Sequence, residues 1–122
     1  MVGIDVSKDT LDYCILEMDT HLVLDRGVLA NESKAILKWL KKIKSSEVIV
    51  ALEHTGHYGA LLSWLLSEQG LDYYMINPLD LKRSLGLQRG KTDAIDAYRI
   101  ANYAVTQNYR LEFFKLPTLT LR

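Results

Sequence analysis

The sequence predicts an α/β fold: a mixed five-stranded sheet, an antiparallel meander followed by parallel strands, with helices on its faces. Three observations predict it. Three apolar runs joined by turn-rich links open the chain, at residues 2–6, 11–17 and 22–29. Two further apolar runs, 48–52 and 71–76, alternate with segments of helical periodicity. Strands that alternate with helices favour parallel pairing through right-handed crossovers.

Taken in order, residues 2–6 form a strand with an apolar lead, Val2, Gly3 and Ile4, interrupted by Asp5. Ser7-Lys8-Asp9-Thr10 is a turn, so residues 11–17 return as the second arm of a hairpin. Residues 22–29 read as a third strand. Residues 32–44 are helical, because Ile36, Leu37, Leu40 and Ile43 recur at helix spacing, and Asn31 or Ser33 is placed to cap the start. Residues 48–52 are continuously apolar, as in a strand covered on both faces, and Glu53 ends it. Thr55 and Gly56 begin a helix whose stripe is Leu61, Leu62, Leu65 and Leu66, with Gly70 as its stop. Residues 71–76 are another strand, closed by Asn77-Pro78. Residues 79–85 form a short helix, 86–92 a loop with two glycines, and 93–105 a helix with Ala94, Ala97, Ala101 and Ala104 on a face suited to close packing. Residues 1–108 therefore read as one domain. Residues 109–122 lack periodicity, contain Pro117, and read as a tail or the start of a linker.

Composition narrows the function classes. The chain has 122 residues, 48% apolar and 25% charged, as expected of a globular domain with one core. No apolar run approaches the roughly 18 residues of a membrane span, and no secretory leader is evident. Cys14 is the sole cysteine, which excludes an internal disulfide and suits a small apolar role in a strand. The formal net charge is zero, so no whole-domain basic bias announces nucleic acid. Local bias remains in Lys82, Arg83, Arg89 and Lys91. Lys38, Lys41, Lys42 and Lys44 are instead the wet face of an amphipathic helix.

The acids carry the chemistry. Asp5 and Glu53 each end an apolar strand, and in open α/β sheets sites form at the carboxyl ends of strands. Neighbouring first and fourth strands would bring these two acids side by side. Asp93 and Asp96 stand at i and i+3 on one helix face, Asp96 toward the alanines. Four converging carboxylates repel one another unless some take up protons or a cation intervenes. Oxygen donors of this kind select Mg²⁺, with Mn²⁺ as substitute, over zinc. The same acids also fit a plainer reading, as surface residues at strand ends and a helix-dipole acid in a first turn. Asp9, Asp12, Glu17, Asp19 and Asp25 read as bystanders.

"GIDVSKDTLD", "ALEHTGHY" and "GKTDAIDAYRIA" occur in that order. Together they resemble the N-terminal domain of the DEDD transposases of bacterial insertion sequences, over about residues 2–108. The resemblance implies a RuvC-like, ribonuclease H-type fold and metal-dependent cutting and rejoining of DNA. By the match, Asp5 is the first acid, Glu53 the second, and Asp93 and Asp96 the closing pair. It also implies Mg²⁺ as cofactor, DNA and a structured guide RNA as partners, a homo-oligomer, and a bacterial cytoplasmic, nucleoid-associated setting. Members carry a second, C-terminal domain with a serine thought to attack DNA. Ser63, Ser67 and Ser84 do not stand in its motif, so the chain reads as a fragment.

Around this set, His54 is expected beside the site and His57 to be an ordinary residue of the first helical turn. His21 reads as a turn or surface residue. Lys82, Arg83, Arg89 and Lys91 are expected to contact a nucleic-acid backbone. Trp39, Trp64, Tyr73, Tyr74, Tyr98 and Tyr103 are mostly core residues at their spacing. Two other readings stand beside the transposase. One is a phosphotransferase fragment of the actin and sugar-kinase superfamily, whose phosphate hairpin needs glycines that Ser7–Thr10 lacks. The other is a non-catalytic domain that binds nucleic acid and assembles oligomers.

Overall fold

The computed structural model describes residues 1–53, 56–85 and 93–114. A five-stranded sheet runs in the order β3-β2-β1-β4-β5, with β1 Val2–Val6, β2 Thr10–Leu16, β3 Val23–Ala30, β4 Val50–Glu53 and β5 Tyr73–Ile76. β1 pairs antiparallel with β2, and β2 with β3; β1 pairs parallel with β4, and β4 with β5. The mixed sheet expected from the sequence is therefore present. The central strand β1 marks the change from antiparallel to parallel pairing.

Among the described residues, four α-helices flank the sheet: α1 Ser33–Ile43, α2 Ala60–Glu68, α3 Pro78–Leu85 and α4 Asp93–Gln107. A 3₁₀ turn, Gly56–Gly59, leads into α2. α1 is amphipathic, burying Ile36, Trp39, Leu40 and Ile43 while its lysines stay exposed. Its N-cap is Glu32, and no side chain caps it. The expected cap from Asn31 or Ser33 is absent because the Asn31 amide is used elsewhere, against the carbonyls of Ser7 and Tyr58. α2 ends before Gly70, whose φ of 72° is the left-handed conformation that glycine reaches without steric penalty. Asn77 accepts a bond from the Leu79 amide, at 2.8 Å, and so opens α3.

The alternation of each strand sorts side chains onto two unlike faces. One face carries Val2, Ile4, Leu11, Val50, Leu52 and Tyr73 against α1 and α2. Full burial of each such aliphatic side chain is worth about 1.5–3 kcal/mol before entropy is charged against it. The other face is lined by small groups at its centre, Cys14 and Ala51, and meets Ala97, Ala101 and Ala104 of α4. Gly3 lies under that helix. A Cβ on Gly3 would run into the Ala97 carbonyl and stand 2.7 Å from the Ala101 Cβ. The helix therefore rests on the β1 backbone with no side chain between them.

The expected aromatic roles largely hold. Trp39, Tyr73, Tyr74 and Tyr103 are buried, whereas Trp64 is 59% exposed on the outer face of α2. Beyond α4, the Phe114 amide donates to the Tyr73 carbonyl, and Phe113 stacks on Tyr74 with ring centroids 4.8 Å apart. This segment packs back on the edge strand β5. The loop expected at 86–92 and the end of the tail, 115–122, lie outside the described residues.

Replacing Gly3 with alanine should cost about 1–3 kcal/mol, because the obstruction is helix backbone that cannot rotate away. Urea unfolding measures this, and an unchanged midpoint would contradict the close helix approach. Cys14 is fully buried, and burial pushes its thiol above the ordinary range. Its folded-state stabilisation is complete below the ordinary thiol pKa and fades as pH climbs through the raised value. At pH 8, iodoacetamide should modify native Cys14 far more slowly than the urea-unfolded chain. Equal rates would contradict the burial.

Candidate active site

β1, β4 and β5 run parallel, so their carboxyl ends share one edge of the fold. The β1–β4 register pairs Val2 with Val50, Gly3 with Ala51 and Ile4 with Leu52. Asp5 and Glu53 are the next residue on each strand. Alternation puts Asp5 on the face of Gly3 and Glu53 on the face of Ala51, which is the α4 face. The register partner of Glu53 is Ile76, which belongs to the same core layer as α4. Asp5 and Glu53 are both half-buried.

The direction of α4 follows from two contacts. Ala97 and Ala101 cover Gly3. At the next residue, Asn102 Oδ1 accepts a 2.9 Å bond from His21 Nδ1. His21 lies in the turn after β2, whose end is tied to Met1 by the Leu16 amide. The C-terminal half of α4 therefore lies toward the start of β1, and its N-terminal end toward Asp5. Position 93 stands four residues before Ala97, about 6 Å along the axis. Asp5 stands two residues beyond Gly3, about 7 Å along the strand. The helix thus begins at the level where Asp5 and Glu53 emerge, on their face of the sheet.

Asp96 is mostly buried and lies 3.8 Å from Arg99 Nη1, a long ion pair beyond hydrogen-bond range. That Nη1 is itself buried with no hydrogen-bond partner. Among the described residues, no group of three His, Cys, Asp or Glu side chains could hold a metal ion. The donor set still suits a hard divalent cation in kind, because Asp5, Glu53 and Asp96 all offer carboxylate oxygens.

Two residues passed over in the sequence belong to this region. Asp12 is the register partner of Asp5 and only 7% exposed. A hairpin centred on residues 7–10 pairs positions that sum to 17, so the turn alone contained this signal. Arg99 is the second, one turn beyond Asp96. The hairpin itself is closed tightly. The Ser7 amide and hydroxyl both donate to the Thr10 carbonyl, at 3.0 and 2.9 Å. A turn so bonded to itself offers no open cradle for a nucleotide phosphate, which speaks against the phosphotransferase.

The basic residues divide. Lys82 and Arg83 are exposed on α3, which directly follows β5 at the same edge of the fold. Arg89, Lys91 and His54 lie outside the described residues, as does Thr55. His57 is exposed in the 3₁₀ turn, with its ring 4.4 Å from that of Tyr58.

A family model described as Transposase, of the DEDD type named for IS110, matches residues 2–122. The pilin gene-inverting protein of Moraxella bovis is 28% identical over 116 residues, 88% of this chain. The match covers 34% of that relative, so the chain spans about a third of its length. Among solved structures, Thermus thermophilus RuvC in complex with a Holliday junction substrate superposes with a TM-score of 0.63 at 18% identity. It covers 93% of this chain and 100% of the RuvC chain. A second Thermus thermophilus RuvC structure gives 0.56 at the same identity and coverage. The fold is therefore RuvC-like.

Proposed function

Since the chain belongs to the DEDD family of transposases, we propose that it is the metal-dependent strand-cleaving domain of a DNA recombinase, working through Asp5, Glu53, Asp93 and Asp96. The observation that supports this most is the meeting of two strand ends and one helix start. Asp5 and Glu53 directly follow the Ile4–Leu52 rung of β1 and β4, and α4 begins above them on the same face.

Asp5 and Glu53 would hold Mg²⁺ from the sheet, and Asp93 and Asp96 would hold it from the helix. Bound there, the ion supplies activation of the attacking oxygen and neutralisation of the leaving one. The protein's own part is positioning. The strand ends fix two carboxylates on a rigid sheet, and the packed alanines of α4 fix the approach of the others. Arg99, one turn behind Asp96, compensates the negative charge of the set when no cation is present.

DNA is the proposed substrate, in keeping with a relative that inverts a gene and a RuvC structure holding a Holliday junction. Lys82 and Arg83 lie at the edge of the fold where the acids emerge and would contact the phosphate backbone. Arg89 and Lys91 extend that stretch. A structured guide RNA and a homo-oligomer belong to the same reading. We assign this domain metal holding and DNA positioning, not the complete recombination reaction.

Asp5→Asn and Asp96→Asn in a recombinase containing this domain should each lower Mg²⁺-dependent cleavage of labelled branched DNA by at least about 100-fold. Their circular dichroism should be retained. Cleavage at the parent rate by both variants would return the domain to a non-catalytic binding role. Lys82→Ala with Arg83→Ala should weaken DNA binding and flatten its salt dependence by about one log–log unit per lost phosphate contact. An unchanged slope in a salt titration would remove α3 from the DNA interface.

A further inference from the structure

Asp5 and Glu53 directly follow the Ile4–Leu52 rung of the β1–β4 ladder. Beyond these acids, β1 runs into the Ser7–Thr10 hairpin and β4 leads to the Gly56–Gly59 turn, and a site built from both needs those segments held at a fixed separation. The structure contains a second tie at this level. Asn31, between β3 and α1, donates from Nδ2 to the Ser7 carbonyl at 2.9 Å and to the Tyr58 carbonyl at 3.0 Å. Ser7 lies two residues beyond Asp5, and Tyr58 five beyond Glu53.

We infer that Asn31 is a positioning residue for the proposed site: its single amide clamps the chain leaving Asp5 to the chain leaving Glu53. The inference rests on the reading of those acids as metal ligands. Three further observations make the clamp stiff. The Asn31 amide N–H donates to the Asp9 carbonyl at 2.9 Å, so the residue is anchored by its backbone to the hairpin it holds. The hairpin is locked by Ser7, whose amide and hydroxyl bond the Thr10 carbonyl and whose hydroxyl lies 3.0 Å from Thr10 Oγ1. On the other side, Tyr58 belongs to the 3₁₀ turn that carries the chain from β4 into α2.

The chemistry requires an amide. Both acceptors are main-chain carbonyls, so the side chain must present two N–H donors from one atom. A carboxylate would set oxygen against oxygen at both contacts, and a hydroxyl has one proton to give. Asn31 Oδ1 is buried with no hydrogen-bond partner, so the orientation of the amide is set by the two donations alone. This use also explains why Asn31 does not cap α1.

The test compares Asn31→Ala with Asn102→Ala. Asn102 makes the 2.9 Å side-chain bond to His21 at the far end of the sheet and serves as the remote control. Mn²⁺ binding is followed by electron paramagnetic resonance, and folding by thermal melts. Asn31→Ala should weaken Mn²⁺ binding about tenfold, in the range of losses found when residues supporting metal ligands are removed. Asn102→Ala should lower the melting temperature comparably and bind Mn²⁺ like the parent. Asn31→Ser, which keeps one donor, should fall between parent and Asn31→Ala. Parent-like Mn²⁺ binding by a folded Asn31→Ala, or an equal loss in Asn102→Ala, overturns the inference. Hydrogen exchange separates this outcome from failure of the metal reading. Asn31→Ala should speed exchange of the Ser7 amide and leave that of Leu16 unchanged, whether or not the parent binds Mn²⁺. A parent that binds none sinks the metal reading and with it the role given to Asn31, whereas an unmoved Ser7 amide sinks the clamp itself.

Discussion

The contact between Gly3 and α4 is the constraint on which the rest of this domain depends. A helix normally lies about 10 Å from a sheet because side chains fill the gap. Here the middle of β1 has no side chain, and the helix presents Ala97 and Ala101 to it. Close approach gives dense packing without large residues, and it fixes the height and heading of α4 at once. With α4 seated on Gly3 through Ala97 and Ala101, the start of the helix reaches the level of the carboxyl ends of β1 and β4. The end of the sheet that carries Asp5 and Glu53 and the start of α4 are brought to one level through a contact that contains no acid.

The two faces of the sheet divide the labour. The α1 and α2 face carries most of the large buried aliphatics. The α4 face can then afford small residues, half-buried carboxylates and a nearly buried Asp12 opposite Asp5. Charge inside a protein is costly unless neutralised. Gathering it on one face, at one edge, means that a single cation or a few paired groups can serve the whole set. β1 stands where antiparallel pairing gives way to parallel pairing, the kind of position at which α/β sheets open a crevice beyond their strand ends. The same edge carries the Ser7–Thr10 hairpin, the Gly56–Gly59 turn and the basic residues of α3. Loops, cations and acids are thereby collected without any of them entering the core.

Much of this was legible along the chain. Period-two and helical spacing marked every strand and helix to within a few residues, because those patterns follow from backbone geometry alone. The acids ending β1 and β4 stood out because each interrupts an apolar run. The partners of those acids did not. Asp12 looked like one of several scattered carboxylates until the hairpin register set it opposite Asp5. Asn31 looked like a cap, since its position before a helix is the ordinary place for one. Its amide instead reaches two carbonyls, one 24 and one 27 residues away in sequence.

The sequence by itself determined the order of elements, the buried stripes, the small face of α4 and the placing of an acid at the ends of β1 and β4. Each of these depends on near neighbours in the chain, where spacing and side-chain size act directly. The tertiary structure alone decided which strand ends lie side by side, which way α4 runs across β1, and what holds the loops beside the acids. Those depend on contacts between residues far apart in the chain, such as Gly3 with Ala97 and Asn31 with Tyr58. No local pattern encodes such pairings, because they exist only once the sheet has closed and the helices have packed.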